Sequence, residues 1–330
     1  MRQLGIVVGI RWMQSHDDIV ESFSLKTQSF EELSDAVVNW DQEYDQLSGG
    51  QFEGGLKLAQ VNESQILRIR WGQKIRYRGT APAGAFAFAL PFDQQGDANW
   101  IGQKAGVDTV LMQAPNKAGD LISSNFYDAL VLGVPENDVF RISSALSGKG
   151  EISGNLHGAS TLSTAGAASL RHQGQSLIDR AISDFSDDRA ALKRLSDQFI
   201  KLFLWELVKS NGGGLKEHRV SRPARLVGDA TDLVLSDVTG NIGLTTLCAH
   251  YGVSLRTLHY AFKDVTGLSA ATWLRRMRLN RVHRELQGAI SNGATIGSVA
   301  ATYGFHHQGH FTNQYKRLFG CLPSETLHRN

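Results

Sequence analysis

Two short stretches of this chain carry side chains suited to reading a polyanion. In the first, Arg256, His259 and Tyr260 share one side of a helical period, with Ser254 and Thr257 at its start and Lys263 near its end. In the second, Gln308, Gly309, His310 and Asn313 take the matching side, with Thr312 among them and Lys316 and Arg317 near the end. Arginine, glutamine and asparagine can hydrogen-bond base edges in a major groove, whereas basic side chains at helix ends neutralise phosphates whatever the sequence. The three histidines His306, His307 and His310 imitate a metal-binding trio. Their place at the head of the second stretch favours contact with bases or phosphates instead.

Catalytic arrangements are missing by comparison. The front half offers His16, His157, His172 and His218, none of them paired as a metal site requires. No Gly-x-Ser-x-Gly is present, and Gly148 to Gly154 lacks the spacing of a phosphate loop. Cys248 and Cys321 are too few for a four-thiolate zinc site or a disulfide framework. The expectation is therefore no catalytic residue, no metal and no cofactor.

The two polar stretches sit in an internal repeat. Leu244-Thr245-Thr246-Leu247-Cys248-Ala249-His250-Tyr251-Gly252-Val253 matches Ile296-Gly297-Ser298-Val299-Ala300-Ala301-Thr302-Tyr303-Gly304-Phe305. Further on, Leu258, Phe262, Lys263 and Gly267 match Phe311, Tyr315, Lys316 and Gly320. Each unit reads as a helix, a glycine turn and a second helix. Small Ala249 and Ala301 permit close crossing, and Gly252 and Gly304 supply the turn. The spacing predicts helices over 226–235, 244–251, 255–262, 271–286, 296–303 and 308–319. The helix over 271–286 joins the units, with Leu274, Met277 and Leu279 beside five arginines. A rigid joint of this kind lets one monomer address two successive major grooves, roughly 34 Å apart.

Charge divides at the same boundary. From Arg222 to Asn330 there are 12 Lys plus Arg against 6 Asp plus Glu, a net of +6, whereas residues 1–221 carry 22 against 26, a net of −4. The overall +2 thus joins an acidic front to a basic back, and only the back is suited to a polyanion.

These residues resemble the DNA-binding domain of the AraC/XylS family of bacterial transcription regulators. That family's Ser-x-Arg-x-Leu-x-Arg-x-Phe-Lys stands here as Ser254-Leu255-Arg256-Thr257-Leu258-His259-Tyr260-Ala261-Phe262-Lys263. Its second pattern stands as Gly304-Phe305-His306-His307-Gln308-Gly309-His310-Phe311 and then Tyr315-Lys316-Arg317-Leu318-Phe319-Gly320-Cys321-Leu322-Pro323. The chain departs at Tyr260 and Asn313, where the family often has arginine, and at His307 and Gly309. Those departures bear on affinity and preferred bases, not on class. The resemblance implies double-stranded promoter DNA as partner, RNA polymerase as a second partner if the chain is an activator, and a homodimer.

Ahead of the repeat, residues 52–140 read mostly as short strands: Leu56–Val61, Leu67–Trp71 and Ile75–Arg78 alternate, and Ala85–Pro91, Val107–Met112 and Ala129–Pro135 add three more. Their punctuation suggests a sandwich or small barrel; around Arg78 to Phe88 the front half resembles the cupin-like effector domain found in one branch of the same family. The expected fold is α+β. A β-rich domain spans 1–142, a Ser/Gly/Ala-rich linker 143–174 and a helical pair 175–211, ahead of an all-α domain over 222–330. The apolar stripe of the pair, from Leu177 to Phe185 and from Leu192 to Leu207, reads either as core or as a dimer seam. Arg68 and Arg70 fall on one side of a strand, and Lys74, Arg76 and Arg78 on one side of the next. One reading has these five cations ring an anionic metabolite or nucleotide second messenger; the other has them simply cover a half-exposed sheet. No apolar run reaches the ~18–20 residues that span a bilayer, so no membrane is expected and a reducing cytoplasm fits. The function expected is a regulator whose front half senses an effector and dimerises, or a constitutive one whose front half only dimerises or binds a protein.

Overall fold

The alternating segments resolve into two antiparallel sheets in the computed structural model, which describes residues 20–147, 156–183, 189–211, 220–237, 242–288 and 294–327. The strands are β1 (Val20–Thr27), β2 (Asp41–Gln46), β3 (Gly54–Val61), β4 (Ser64–Trp71), β5 (Ile75–Thr80), β6 (Ala85–Gln94), β7 (Ala98–Trp100), β8 (Gln103–Ala105), β9 (Thr109–Gln113), β10 (Gly119–Ile122), β11 (Tyr127–Pro135) and β12 (Gly158–Thr161). One sheet runs β1-β3-β4-β11-β6-β9-β12 and the other β2-β5-β10-β7-β8. Between the sheets lie Leu67, Trp71, Tyr44, Tyr77 and Trp100, in a single apolar cluster. The segment around residues 30–44, ambiguous in sequence, forms a short helix α1 (Phe30–Asp35), capped by Ser29, and then β2.

The described residues of 143–174, expected as a linker, belong largely to regular elements. Helix α2 (Glu136–Ser147) takes their beginning, residues 148–155 lie outside the described residues, and β12 with the start of helix α3 (Thr164–Ile182) takes the rest. The small residues that mimic a linker allow close packing: a Cβ on Gly174 would stand 2.7 Å from a Leu130 methyl, and one on Gly166 2.4 Å from the Glu206 carboxylate. Helix α3 crosses the outer face of the larger sheet together with α4 (Arg189–Ser210). Leu177, Ile178, Phe199, Phe203 and Leu207 are buried there against Phe88, Leu130 and Leu132. These residues of the apolar stripe are therefore core of the chain; Phe185 lies outside the described residues.

Helices fill the rest: α5 (Arg222–Ser236), α6 (Leu244–Tyr251), α7 (Leu255–Thr266), α8 (Ala270–Gly288), α9 (Ile296–Thr302), α10 (Gln308–Phe319) and α11 (Pro323–Leu327). Two apolar clusters meet along α8. Trp273, Leu274 and Met277 pack with α5, α6 and α7, while Leu279, Val282 and Leu286 pack with α9, α10 and the β domain. Tertiary packing overrides the weak amphipathicity of this arginine-rich helix, because it is surrounded rather than laid on a surface.

Candidate nucleic-acid interface

Each repeat unit is held by its own caps. In the first, Gly252 adopts a left-handed φ of 62° to end α6, and the Ser254 hydroxyl accepts from Thr257 N at 3.0 Å to start α7. Left-handed backbone costs a β-carbon roughly 1–2 kcal/mol, so a glycine belongs there. Leu258, Ala261, Phe262 and Val265 face inward. Arg256, Thr257, His259, Tyr260 and Lys263 are exposed with Ser254, and Tyr260 keeps 62% of its surface. The Arg256 guanidinium lies 5.4 Å from the Tyr260 ring centroid and 3.3 Å from its hydroxyl. That contact presents a planar donor stacked on an aromatic face, pre-ordered for bidentate contact.

In the second unit, Thr295 and Ser298 form a reciprocal capping box at the start of α9. Phe311, Tyr315, Leu318 and Phe319 are buried along α10, and Gln308, Gly309, His310, Asn313, Lys316 and Arg317 are exposed, with Thr312 half-buried. Lys316 and Arg317 occupy the last turn, where the helix dipole favours cations. A cleft of about 460 Å³ between the units is lined by Arg275, Arg278, His306, His307 and His310. No three His, Cys, Asp or Glu side chains among the described residues stand close enough to hold one ion.

The joint between the units is gripped by the β domain. Asn280, fully buried on α8, accepts from Gln46 N at 2.8 Å and donates to Gln46 O at 3.0 Å. The Gln46 side chain donates to Leu318 O at 2.7 Å, tying β2 to the end of α10. Arg284 reaches Asp45 and Glu43, each at 2.5 Å, and Arg276 donates to Leu47 O. Nearby, His283 stacks on both Phe30 and Phe319, and its Nε2 is 3.4 Å from the Glu31 carboxylate. Burial pushes the Glu31 carboxyl up from 4.5 to about 7. None of Glu31, Asp45, Gln46, Asn280 or His283 stood out in the sequence. Only Asn280, a polar residue beside Leu279 and three residues from Met277 on a helix, leaves a local trace.

The five strand cations do not converge. β4 and β5 belong to different sheets, so side chains leaving the domain on their outer faces point apart. Arg68 is held by Asp128 at 2.6 Å and by Gln175 of α3, and Arg70 lies over Phe126. On β5 the outer face meets the helical domain. Lys74 donates to Thr266 O at 3.0 Å, and Arg78 pairs with Asp232 at 2.6 Å. Arg76, 1% exposed, pairs with Asp120 at 2.7 Å and lies 5.2 Å from the Trp273 ring. The five cations form no ring: Lys74, Arg76 and Arg78 make docking contacts, Arg68 and Arg70 stay on the β domain and α3, and Ile75 and Tyr77 fill the interior on the other side.

A helix-turn-helix domain family matches residues 247–329. The chain is similar to XylDLEGF operon transcriptional activator 1 of Pseudomonas putida, 23% identical over 148 residues, which are 45% of each chain. It is 35% identical over 91 residues to XylDLEGF operon transcriptional activator 2 of the same organism, 28% of this chain and 58% of that one. The chain spans about half the length of these curated relatives. Among solved structures, that of the AraC-like transcriptional activator CuxR covers 86% of this chain and 100% of its own, at 14% identity and a TM-score of 0.41.

Proposed function

We propose that this chain, whose C-terminal domain is a helix-turn-helix of the AraC/XylS type, is a sequence-specific promoter-binding transcription activator under the control of its front domain. One observation carries the reading: two helices, α7 and α10, each ended by a left-handed glycine, bury matching apolar faces and leave matching polar faces exposed. In this reading Arg256 and Gln308 read base edges at two sites, assisted by His259, Tyr260, His310 and Asn313, while Lys263, Lys316 and Arg317 bind phosphates. RNA polymerase is the second partner of an activator. Dimerisation uses the outward face of α4, where Trp205 is 44% exposed. The working compartment is the cytoplasm; no described helix is long and apolar enough to cross a membrane.

The control step couples a small effector in the front domain to the helices through α1, β2 and α8. A constitutive regulator is the competing reading, and it draws on the exposure of both reading faces while the β domain is docked. Footprinting of genomic fragments with the purified chain tests the DNA assignment. Two protected patches centred about 10 base pairs apart on one face of the duplex are expected. Uniform protection without a preferred sequence contradicts it.

A further inference from the structure

Two exposed imidazoles, His306 and His307, precede α10 and belong to neither set of residues assigned above to base edges and phosphates. Both line the cleft of about 460 Å³ between the units, together with His310, Arg275 and Arg278. The ring centroids of His307 and His310 are 6.4 Å apart. Among the described residues no carboxylate lines the cleft. The acids that bear on its lining are engaged beside it. Asp237, which faces Arg278, accepts from Ile242 N at 2.9 Å, and Glu285 is hydrogen-bonded to the Tyr303 hydroxyl with Arg281 and Arg284 near. Two guanidiniums and three imidazoles with no opposing charge in the wall suit an anion.

The backbone adds to this. The cleft opens on the starts of α6 and α10, at Gly243 and His307, and neither start has a side-chain cap, whereas Ser254 and Thr295 cap α7 and α9. Uncapped first-turn N–H groups and the positive end of a helix dipole attract negative charge. On α8 the Arg278 guanidinium donates to Ile242 O at 2.8 Å, while its Nε is buried without a partner. A buried cationic donor left unmet is costly, and a phosphate oxygen meets it. Gln314 Oε1, a buried acceptor without a partner in the same wall, calls for a donor, and a protonated imidazole donates from both ring nitrogens.

Duplex geometry supplies the anion. With α7 and α10 in successive major grooves, the surface between the units faces the minor groove that separates them, and phosphates of both strands edge that groove. One inorganic anion would leave most of a cleft of about 460 Å³ empty, whereas a run of backbone fills it. We propose that this cleft clamps the phosphates beside the intervening minor groove and that His306 and His307 take up protons on binding, so that DNA affinity rises as pH falls. The proposal rests on the DNA reading above and adds a regulation of that same site. An ordinary imidazole titrates near about pH 6.5, and a neighbouring phosphodiester favours its charged form. More protons are then bound in the complex than in the free chain, so binding strengthens as pH falls through the imidazole range and weakens as it rises.

The test is fluorescence anisotropy with the full chain at constant ionic strength, from pH 8 to pH 6. It uses two duplexes of equal length, one carrying the sequence obtained by binding-site selection and one unrelated. Affinity is expected to rise about ten-fold for both duplexes, because phosphates and not bases are held. His306→Gln combined with His307→Gln should track the parent at pH 8 and cut that rise to about two-fold or less. Both positions are exposed, so the double variant keeps its fold, and equal melting temperatures check this. The buried Glu31 is common to parent and variant, so the difference between them isolates the cleft. Arg275→Ala should weaken binding at every pH and lower the salt slope by about one, with the pH rise kept. A double variant that retains the full rise overturns the proposal, as does a parent that binds DNA equally at both pH values. A rise confined to the selected duplex also overturns it, by placing the imidazoles on bases. So does a rise abolished by millimolar inorganic phosphate, which would assign the cleft to a free anion. Failure of the parent to bind either duplex would instead contradict the DNA reading, so the two failures are distinguishable.

Discussion

Glu31 shows how one side chain ties the halves together. It sits at the start of α1, accepts from the Ser29 hydroxyl at 3.1 Å, and faces His283, Gln287 and Arg284 of α8. Burial is the dominant influence on its carboxyl and raises its pKa to about 7, against a weaker opposing pull from its hydrogen bonds and Arg284. A carboxyl whose folded pKa is raised binds its proton more tightly in the folded, docked state than in the unfolded one. Its contribution is therefore fully present below the ordinary value of 4.5 and is lost as pH rises through about 7. Stability of the docked chain is expected to fall by about 1–3 kcal/mol from this group between pH 5 and 8. Glu31→Gln should flatten that slope in denaturant titrations across the range; an unchanged slope would remove Glu31 as its source.

At the scale of elements, the helix-turn-helix units were the most legible part of the chain. Their signals are local: Gly252 for a left-handed turn, Ser254 for a cap, Leu258 and Phe262 at helical spacing. Gly252→Ala is expected to cost about 1 kcal/mol, from backbone strain alone, because a Cβ there meets nothing within 4 Å. A thermal melt of that variant checks it, and a much larger loss would mean that the turn is packed. The six strands expected over 52–140 are all present, because alternation and short apolar runs punctuated by Gly and Pro are properties of neighbouring residues. β1, β2, β7, β8, β10 and β12 were not read; several are only three or four residues long and are fixed by partners distant in sequence. The small residues of 158–174 look like linker in sequence for a related reason: nothing local distinguishes a loose segment from one packed tightly against Leu130. The cation alternation on β4 and β5 was correct, but its meaning depended on Asp120, Asp128 and Asp232, which only the fold brings near.

The whole molecule is a pair of helix-turn-helix units whose joining helix is clamped by a β domain. Helix α8, about 28 Å long at 1.5 Å per residue, is gripped at Trp273 by Arg76, at Asn280 by Gln46 and at Arg284 by Asp45. Arg76→Met, which removes the buried cation over Trp273 and its contact with Met277, is expected to weaken this docking by about 1–2 kcal/mol. Arg78→Ala, which removes an exposed pair with Asp232, should change it by less than about 1 kcal/mol. Limited proteolysis between the domains separates the two, and equal effects would mean that burial of Arg76 is not what holds the interface. The central claim is that α7 and α10 read two successive stretches of one promoter face. Its most direct measurement is a binding-site selection repeated with Arg256→Ala, Gln308→Ala and Lys316→Ala. The account predicts that the first two each lose about 1–3 kcal/mol of discrimination at different base positions, one helical turn apart. The third weakens binding to every sequence and lowers the salt slope by about one. Three variants that select the parent's site with the parent's affinity would contradict it.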